Sequence, residues 1–271
     1  MPAHLIDGKA LATAILAQIK SEVGKLAYRP LFCDILVGAD PVSLSFVKLK
    51  GLRAKAVGLD FKLVQLPDRI TTEELTAQIA KLQQDPALSG LIIQLPLPKS
   101  VDQKKVLAAV DPSIDADGLS NRALVVPPTA AAIITILDSL NLDWAQRSIL
   151  VIGQGELVGR PVTRLLRQRG LAVMTADSAT KDLLSLSKQA DIIISGAGQP
   201  GLIQGHMIKP GCVVIDAGTA ELAGGIVGDV DTKSVLPIAG YLAPTPGGVG
   251  PLTVAKLLAN VVRLAKLKSH A

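Results

Sequence analysis

The chain has 271 residues, 49% of them apolar and 19% charged, with a net charge of +5. That balance excludes intrinsic disorder, which needs low hydrophobicity and high net charge. The length fits two domains, or one large α/β domain, at roughly 100–200 residues each. Only Phe32, Phe46, Phe61, Trp144, Tyr28 and Tyr241 are aromatic, so the core is expected to be aliphatic. Cys33 and Cys212 lie far apart, and His4, His206 and His270 are scattered, so neither a disulfide scaffold nor a zinc site is expected. No secretory apolar region follows Met1, and no apolar run approaches the roughly 20 residues of a membrane span. The expected setting is cytoplasmic. The basic residues are dispersed apart from Arg160, Arg164, Arg167, Arg169, Lys266 and Lys268. With so few aromatic stacking platforms, a nucleic-acid partner is not expected.

Residues 31–37 read as a strand. Asp40-Pro41 then opens a helix, Asp as N-cap and Pro at the first helical position. This helix ends before Gly58, a good residue for a left-handed terminus. Residues 59–66 form a second strand, 71–84 a helix and 90–94 a third strand, which runs into a Leu-Pro-Leu-Pro turn at 95–98. Alternation of this kind predicts a parallel sheet. After a helix at 130–141 the pattern restarts. Strands are expected at 148–152, 171–176, 191–195, 213–216 and 241–243, with a helix at about 161–169 and a closing helix at 253–267.

The segment from Ser148 to Asp177 is strand, glycine turn, helix, strand, acid. Gly153 permits the tight turn, and Gly155 lets backbone N–H groups approach a phosphate at a helix N-terminus. The spacing is G-x-G-x-x-x-G, Gly159 being the third glycine, so the pattern alone is weak. Its context strengthens it: Asp177 stands 24 positions after Gly153, near the roughly 20 expected for an acid that accepts from a ribose hydroxyl. An ordinary βα turn with a surface Asp is the plain alternative. An acid at the ribose repels a 2′-phosphate, which favours NAD over NADP unless Arg160 and Arg164 offset it.

Other polar elements are candidates for a chemical site. The helix after Asp40 carries Ser43, Phe46 and Lys50, the last two on one face. Gln94 closes a strand at the carboxyl end of the sheet, where ligands of such sheets bind. Asp115-Ala-Asp117-Gly118 is an acidic turn, and residues 246–251, Pro-Gly-Gly-Val-Gly-Pro, form a glycine loop before the last helix. Each taken alone is as readily a solvated lysine or a plain turn.

Together these segments resemble the bifunctional methylenetetrahydrofolate dehydrogenase and methenyltetrahydrofolate cyclohydrolase family. The matching pieces are VGADPVSLSFVKLKGLRAKAVG at 37–58, GLIIQLPLP at 90–98, DADG at 115–118, VGRP at 158–161, IVGDVD at 226–231 and TPGGVGPLTVAKLL at 245–258. They run from end to end, and QLPLP with PGGVGP is very specific.

The resemblance implies an N-terminal parallel-sheet catalytic domain (1–125 with 251–271), a connecting segment (126–139) and a C-terminal Rossmann NAD(P)-binding domain (140–250), with folate in the cleft between them. It implies oxidation of methylenetetrahydrofolate by hydride transfer to NAD or NADP, then hydrolysis of the methenyl bridge to formyltetrahydrofolate, and a homodimer. Lys50 matches the family's catalytic lysine, Gln94 the glutamine that orients it, and Asp117 the acid that binds the pterin. Ser43 and Phe46 lie on the lysine's helix, and Pro246, Gly247, Gly248 and Gly250 match the loop beside the reacting rings. Gly153, Gln154, Gly155, Val158, Gly159, Arg160 and Asp177 are the cofactor candidates. A lysine can move protons in such a hydrolysis if partial burial brings it toward neutrality.

Three departures stand out. Phe46 replaces the usual tyrosine, removing a hydroxyl beside Lys50. Gly155 stands where a serine is common, and Gln154 where NADP-using members often carry arginine, a lost phosphate partner that again favours NAD. Residues 127–132, Pro-Pro-Thr-Ala-Ala-Ala, replace the usual linker, and their alanines favour an extended helix. Three functions therefore stay open: a bifunctional enzyme, a dehydrogenase with weak cyclohydrolase, and a catalytically lapsed folate- or nucleotide-binding protein.

Overall fold

The computed structural model describes residues 2–120, 122–144, 146–222 and 225–269. Along the chain the first half runs β1 (His4–Leu5), α1 (Gly8–Val23), β2 (Leu31–Val37), α2 (Pro41–Ala56), β3 (Asp60–Leu66), α3 (Thr72–Leu82), β4 (Leu88–Ile93) and α4 (Gln103–Ala108). The second half runs α5 (Pro128–Ser139), β5 (Ile149–Ile152), α6 (Gly159–Gln168), β6 (Val173–Ala176), α7 (Leu183–Gln189), β7 (Ile192–Ser195), β8 (Val213–Asp216), β9 (Ala220–Leu222), β10 (Gly225–Val227), α8 (Thr232–Val235), β11 (Tyr241–Ala243) and α9 (Val249–Ser269). Among the described residues no helix is long and apolar enough to cross a membrane.

The chain forms two compact units: residues 13–128 with 254–271, and residues 1–12 with 129–253. The first holds a three-stranded parallel sheet in the order β3-β2-β4. One face of this sheet carries Cys33, Ile35, Leu91 and Ile93 against Leu75, Ile79 and Val106 of α3 and α4. The other carries Phe32 and Ile92 against Ile19, Ala54, Leu258, Val261 and Val262 of α1, α2 and α9. Each such aliphatic side chain, fully buried, contributes about 1.5–3 kcal/mol. The helix signals act as the residues dictate. Asp40 caps α2 by accepting from the Ser43 amide at 2.7 Å, with Pro41 in the first turn, and Thr71 with Glu74 forms a reciprocal capping box on α3.

The second unit holds a six-stranded, all-parallel sheet in the order β1-β11-β8-β7-β5-β6 and a separate antiparallel pair, β9 with β10. β5, β7 and β8 are buried throughout, as central parallel strands covered on both faces must be.

The units differ from the sequence-based boundaries at both ends of the second one. Residues 1–12 pack with it and not with the N-terminal sheet, because β1 hydrogen-bonds in parallel to β11 through His4↔Tyr241 and Leu5↔Leu242. Residues 128–139 are a packed helix rather than a connector, since Ala130, Ala132, Ile133 and Ile136 are fully buried. The closing helix starts at Val249, not 253, so Gly250 and Pro251 lie in its first turn, where proline's missing N–H costs nothing.

Candidate active site

Lys50 sits in the third turn of α2, and strand periodicity decides what it meets. On β2, Phe32 and Asp34 point to the α1/α2/α9 side, since side chains alternate. On β4, Ile92 is the partner of Asp34, and two residues on, Gln94 lies on that same side. The Gln94 amide donates to the Ile35 carbonyl at 2.8 Å, so the ladder continues one step past β4. Helix α2 packs on this face and brings Lys50 to both groups. Its Nζ donates to Gln94 Oε1 at 2.7 Å and lies 2.6 Å from Asp34 Oδ2. Gln94 Nε2 donates to the Leu95 carbonyl at 2.9 Å, which fixes the amide with its oxygen toward the lysine.

Asp34 is completely buried and Lys50 is 8% exposed. Burial pushes the Asp34 carboxyl above its usual range, and the ammonium of Lys50 pulls the other way. Neither Asp34 oxygen makes a hydrogen bond among the described residues, so Oδ2 meets Lys50 as an ion pair. Sequence reasoning passed over this residue. The signal was present, because an acid in the middle of the apolar strand LFCDILV must find a counter-charge once buried.

The turn at 115–118 divides its acids between two tasks. Asp115 is buried and accepts from the Gly118 amide at 2.9 Å and the Ser120 amide at 2.7 Å, so it shapes the turn. Asp117 is half-buried, and no hydrogen bond from the described residues reaches its carboxyl. Burial pushes Asp117 up to about 7, against the attraction of Lys50 and with repulsion from Asp115 and Asp34. The carboxyl is thus free to bind a ligand and titrates near neutrality. Phe46, one turn before Lys50, is half-buried, and Ser43 is buried with its amide committed to the helix cap.

In the other unit, Gly153 leaves β5 at φ +83° and its amide donates to the Ala176 carbonyl at 2.8 Å. The third glycine is the tight one. A Cβ on Gly159 would lie 1.6 Å from the Gly153 carbonyl oxygen, so the helix can begin two residues earlier than the expected 161 and lie directly on the turn. Gly155 faces open space, with nothing within 4 Å of where a Cβ would stand. Val158 packs against Gly196 and supplies no side-chain cap; in the first turn of α6 the Arg160 amide donates to the Gly155 carbonyl at 3.1 Å and Pro161 carries no N–H. Asp177 follows β6, in register beside β5, and is exposed. Its Oδ1 accepts from the Ala179 amide at 2.9 Å. These features fit a dinucleotide: open backbone where phosphates approach, an uncapped helix N-terminus and an acid at the neighbouring strand end.

Gln154 turns back on its own loop, its Nε2 donating to the Gly153 carbonyl at 3.2 Å. With Arg160, Thr163, Arg164, Arg167 and Gln168 it lines a cavity of about 480 Å³. The Pro246–Gly250 loop is strapped to the start of α1: the Gly8 amide donates to the Gly247 carbonyl at 3.1 Å, and a Cβ on Gly8 would lie 1.8 Å from the Gly248 carbonyl oxygen. Gly247 takes φ +110°, open to glycine alone without strain.

Sequence reasoning also missed a buried acidic brace. Asp229 of the IVGDVD segment accepts from Ser195 Oγ and from the Ala197 and Gln199 amides, each at 2.7 Å. Asp216 accepts from the Gly218, Asp229 and Val230 amides at 3.0–3.1 Å. Both are fully buried and fix the loops after β7 and β8, at the carboxyl ends of the strands. Burial pushes Asp216 up to about 6, against the pull of those amides.

Comparison with known proteins matches the chain in two contiguous stretches. Residues 6–117 match the catalytic domain of tetrahydrofolate dehydrogenase/cyclohydrolase, and residues 127–269 match its NAD(P)-binding domain. A "Bifunctional protein FolD" from Lacticaseibacillus paracasei is 38% identical, with 98% of each chain covered. The crystal structure of bifunctional FolD from Campylobacter jejuni superposes with a TM-score of 0.94 at 34% identity, covering 98% of this chain and 99% of that one. The Trypanosoma brucei methylenetetrahydrofolate dehydrogenase-cyclohydrolase, complexed with NADP cofactor and an inhibitor, gives 0.95 at 33% identity, with both chains covered completely.

Proposed function

This chain belongs to the tetrahydrofolate dehydrogenase/cyclohydrolase family, and from that premise we propose that Lys50, Gln94 and Asp117 perform its folate chemistry. The enzyme oxidises methylenetetrahydrofolate to methenyltetrahydrofolate with NAD(P) and hydrolyses the product to formyltetrahydrofolate, within one-carbon metabolism. The observation that carries the assignment is the contact of Lys50 Nζ with Gln94 Oε1 at 2.7 Å. Gln94, its amide oriented by Leu95, aims the lysine, and Lys50 moves protons between the attacking water, the one-carbon bridge and the folate nitrogens. Asp117 accepts hydrogen bonds from the donor edge of the pterin, stronger for being charge-assisted. Phe46 packs its ring on the substrate from the same helix face, and Ser43 belongs to that helix's first turn. Pro246, Gly247, Gly248 and Gly250 supply a backbone surface for the reacting rings. Hydride transfer demands positioning above all, and the nicotinamide, when bound, accepts the hydride.

For the nucleotide, Gly153, Gly155, Val158 and Gly159 support a pyrophosphate on the turn and helix end. Asp177 accepts from the ribose, and Gln154 offers no charge to a 2′-phosphate, so the reading favours NAD. A specific observation favours NADP instead: Arg160, Arg164 and Arg167 line the cavity that also contains Gln154. Comparing kcat/KM for NAD and NADP, with methenyl and formyl products followed separately, tests both. A protein that oxidised methylenetetrahydrofolate with neither nucleotide would refute the assignment. The reading includes a cytoplasmic homodimer. Its supports are two free, buried cysteines, as expected in a reducing compartment, and Leu222 and Ile226 exposed on the β9–β10 hairpin. Sedimentation analysis tests the dimer.

A further inference from the structure

The buried carboxylate of Asp34 has no place in the folate chemistry drawn so far. It stands at the centre of β2 among Phe32, Ile92 and other apolar neighbours, where alternation calls only for an apolar side chain. An apolar residue there would avoid taking two charges out of water, a cost that close pairing only partly offsets. The carboxylate is nevertheless directed at one group, Lys50 Nζ at 2.6 Å. On the opposite account, Phe46 lacks the hydroxyl that the family usually places beside this lysine.

We propose that Asp34 is a positioning residue for Lys50 in the hydrolysis of the methenyl bridge, giving the ammonium the support that a hydroxyl at residue 46 would otherwise give. The inference rests on the role assigned to Lys50 above. Gln94 Oε1 accepts a hydrogen bond from the ammonium, Asp34 Oδ2 forms an ion pair with it, and three N–H donors are available to it. One of the three is engaged by Gln94, while the ion pair with Asp34 holds the charge in place. A lysine side chain has four rotatable bonds, and fixing its tip at two points removes the freedom that would blur its aim. The carboxylate also sets the charge around the lysine. The other titratable groups that interact with Asp34 are Asp117 in the 115–118 turn and Cys33 on its own strand, whose thiol burial pushes up to about 12.

The test compares the holoenzyme with Asp34→Asn, Phe46→Tyr, the double variant and Lys50→Met. Oxidation and hydrolysis are measured on the same samples across pH 6–9. For Asp34→Asn the ratio of hydrolysis kcat to oxidation kcat is expected to fall at least tenfold. KM for the methenyl substrate should stay within about twofold. The limb of the hydrolysis profile should move to lower pH, because the negative neighbour that favours the ammonium is gone. Adding Phe46→Tyr should recover part of the lost ratio. Equal losses in both activities with an unmoved profile would mean a structural role only and overturn the proposal, as would an unchanged ratio. Lys50→Met separates the two levels of inference. If it still hydrolyses normally, the role of Lys50 fails; if it is inactive while Asp34→Asn is normal, only the role of Asp34 fails. Should Asp34→Asn lack a cooperative melting transition, Asp34→Glu keeps the charge and displaces it by one methylene. Reduced hydrolysis kcat with a retained profile is then expected, and wild-type hydrolysis overturns the proposal.

Discussion

Replacing Lys50 by methionine keeps an unbranched stem of similar length and removes the charge, so it leaves Asp34 buried without a counter-ion. In the unfolded chain that carboxyl titrates at its ordinary value of 3.8. In the folded variant the pull of Lys50 is lost and only the push of burial remains, so the carboxyl is raised further above its ordinary value. Between the unfolded and the folded value the folded state then binds more protons than the unfolded state. Stability is therefore fully present below pH 3.8 and is lost as pH rises, by about 1.4 kcal/mol per unit. Breaking a buried pair by removing one partner typically costs about 3–5 kcal/mol, which bounds the loss expected near neutral pH. In the parent protein the ammonium balances the charge and the slope is shallower. Urea unfolding followed by far-UV circular dichroism at pH 5, 6 and 7 reads the gap between the two proteins. It should widen as pH rises over that range, by less than about 1.4 kcal/mol per unit. A gap that does not change with pH would refute the reasoning, since it would mean that Asp34 is already neutral beside Lys50.

Other outcomes follow from the same geometry. Gly159→Ala drives a methyl into the Gly153 carbonyl, so KM for the nucleotide should rise at least about 100-fold while hydrolysis of supplied methenyltetrahydrofolate persists; comparing the two assays checks this. Asp117 titrates near 7, so folate affinity should weaken as pH falls through that value, by about tenfold per unit below it. Asp117→Asn should bind weakly and without that slope, as read by calorimetric titration. Asp177→Ser removes the ribose acceptor and its repulsion of a 2′-phosphate, so the NAD-to-NADP ratio of kcat/KM should fall about tenfold or more; an unchanged ratio would put nucleotide choice elsewhere. Gly228→Ala places a methyl 1.9 Å from Asp216 Oδ2 and should destabilise the protein by at least about 3 kcal/mol through the buried brace, measurable as a lower urea midpoint.

The parts legible in the sequence are those governed by local rules. Asp40-Pro41 and Gly58 bound α2 because capping, proline geometry and a left-handed terminus each depend on a few neighbouring residues. The order of strands and helices follows from hydrophobic period, and the family motifs pointed to Lys50, Gln94 and Asp117. What escaped depends on partners distant in sequence. β1 is two residues long, and only its pairing with β11 makes it a strand. Asp34 looked like an interruption in an apolar run until the register of β2 with β4 and the packing of α2 put it under Lys50. Asp216 and Asp229 are thirteen residues apart and act through one amide contact and several loops. Gly159 was visible as a motif glycine, but the reason for it is the approach of the Gly153 carbonyl, a contact no regular expression contains.

The path of the chain through its two compact units bears on how the protein is made. The unit built on residues 13–128 draws on residues 254–271 as well, and Leu257, Leu258, Val261, Val262 and Leu264 of α9 are all but inaccessible within its core. The other unit claims the first dozen residues, whose strand finds its partner only at 241–243. A ribosome therefore releases almost the whole chain before either core can close. Vectorial, domain-by-domain folding, the usual route for a two-part protein, is closed to this one. Its nascent chain carries an open hydrophobic sheet face until the last helix arrives. Cutting the gene at the apparent midpoint would consequently yield two unfinished pieces rather than two domains.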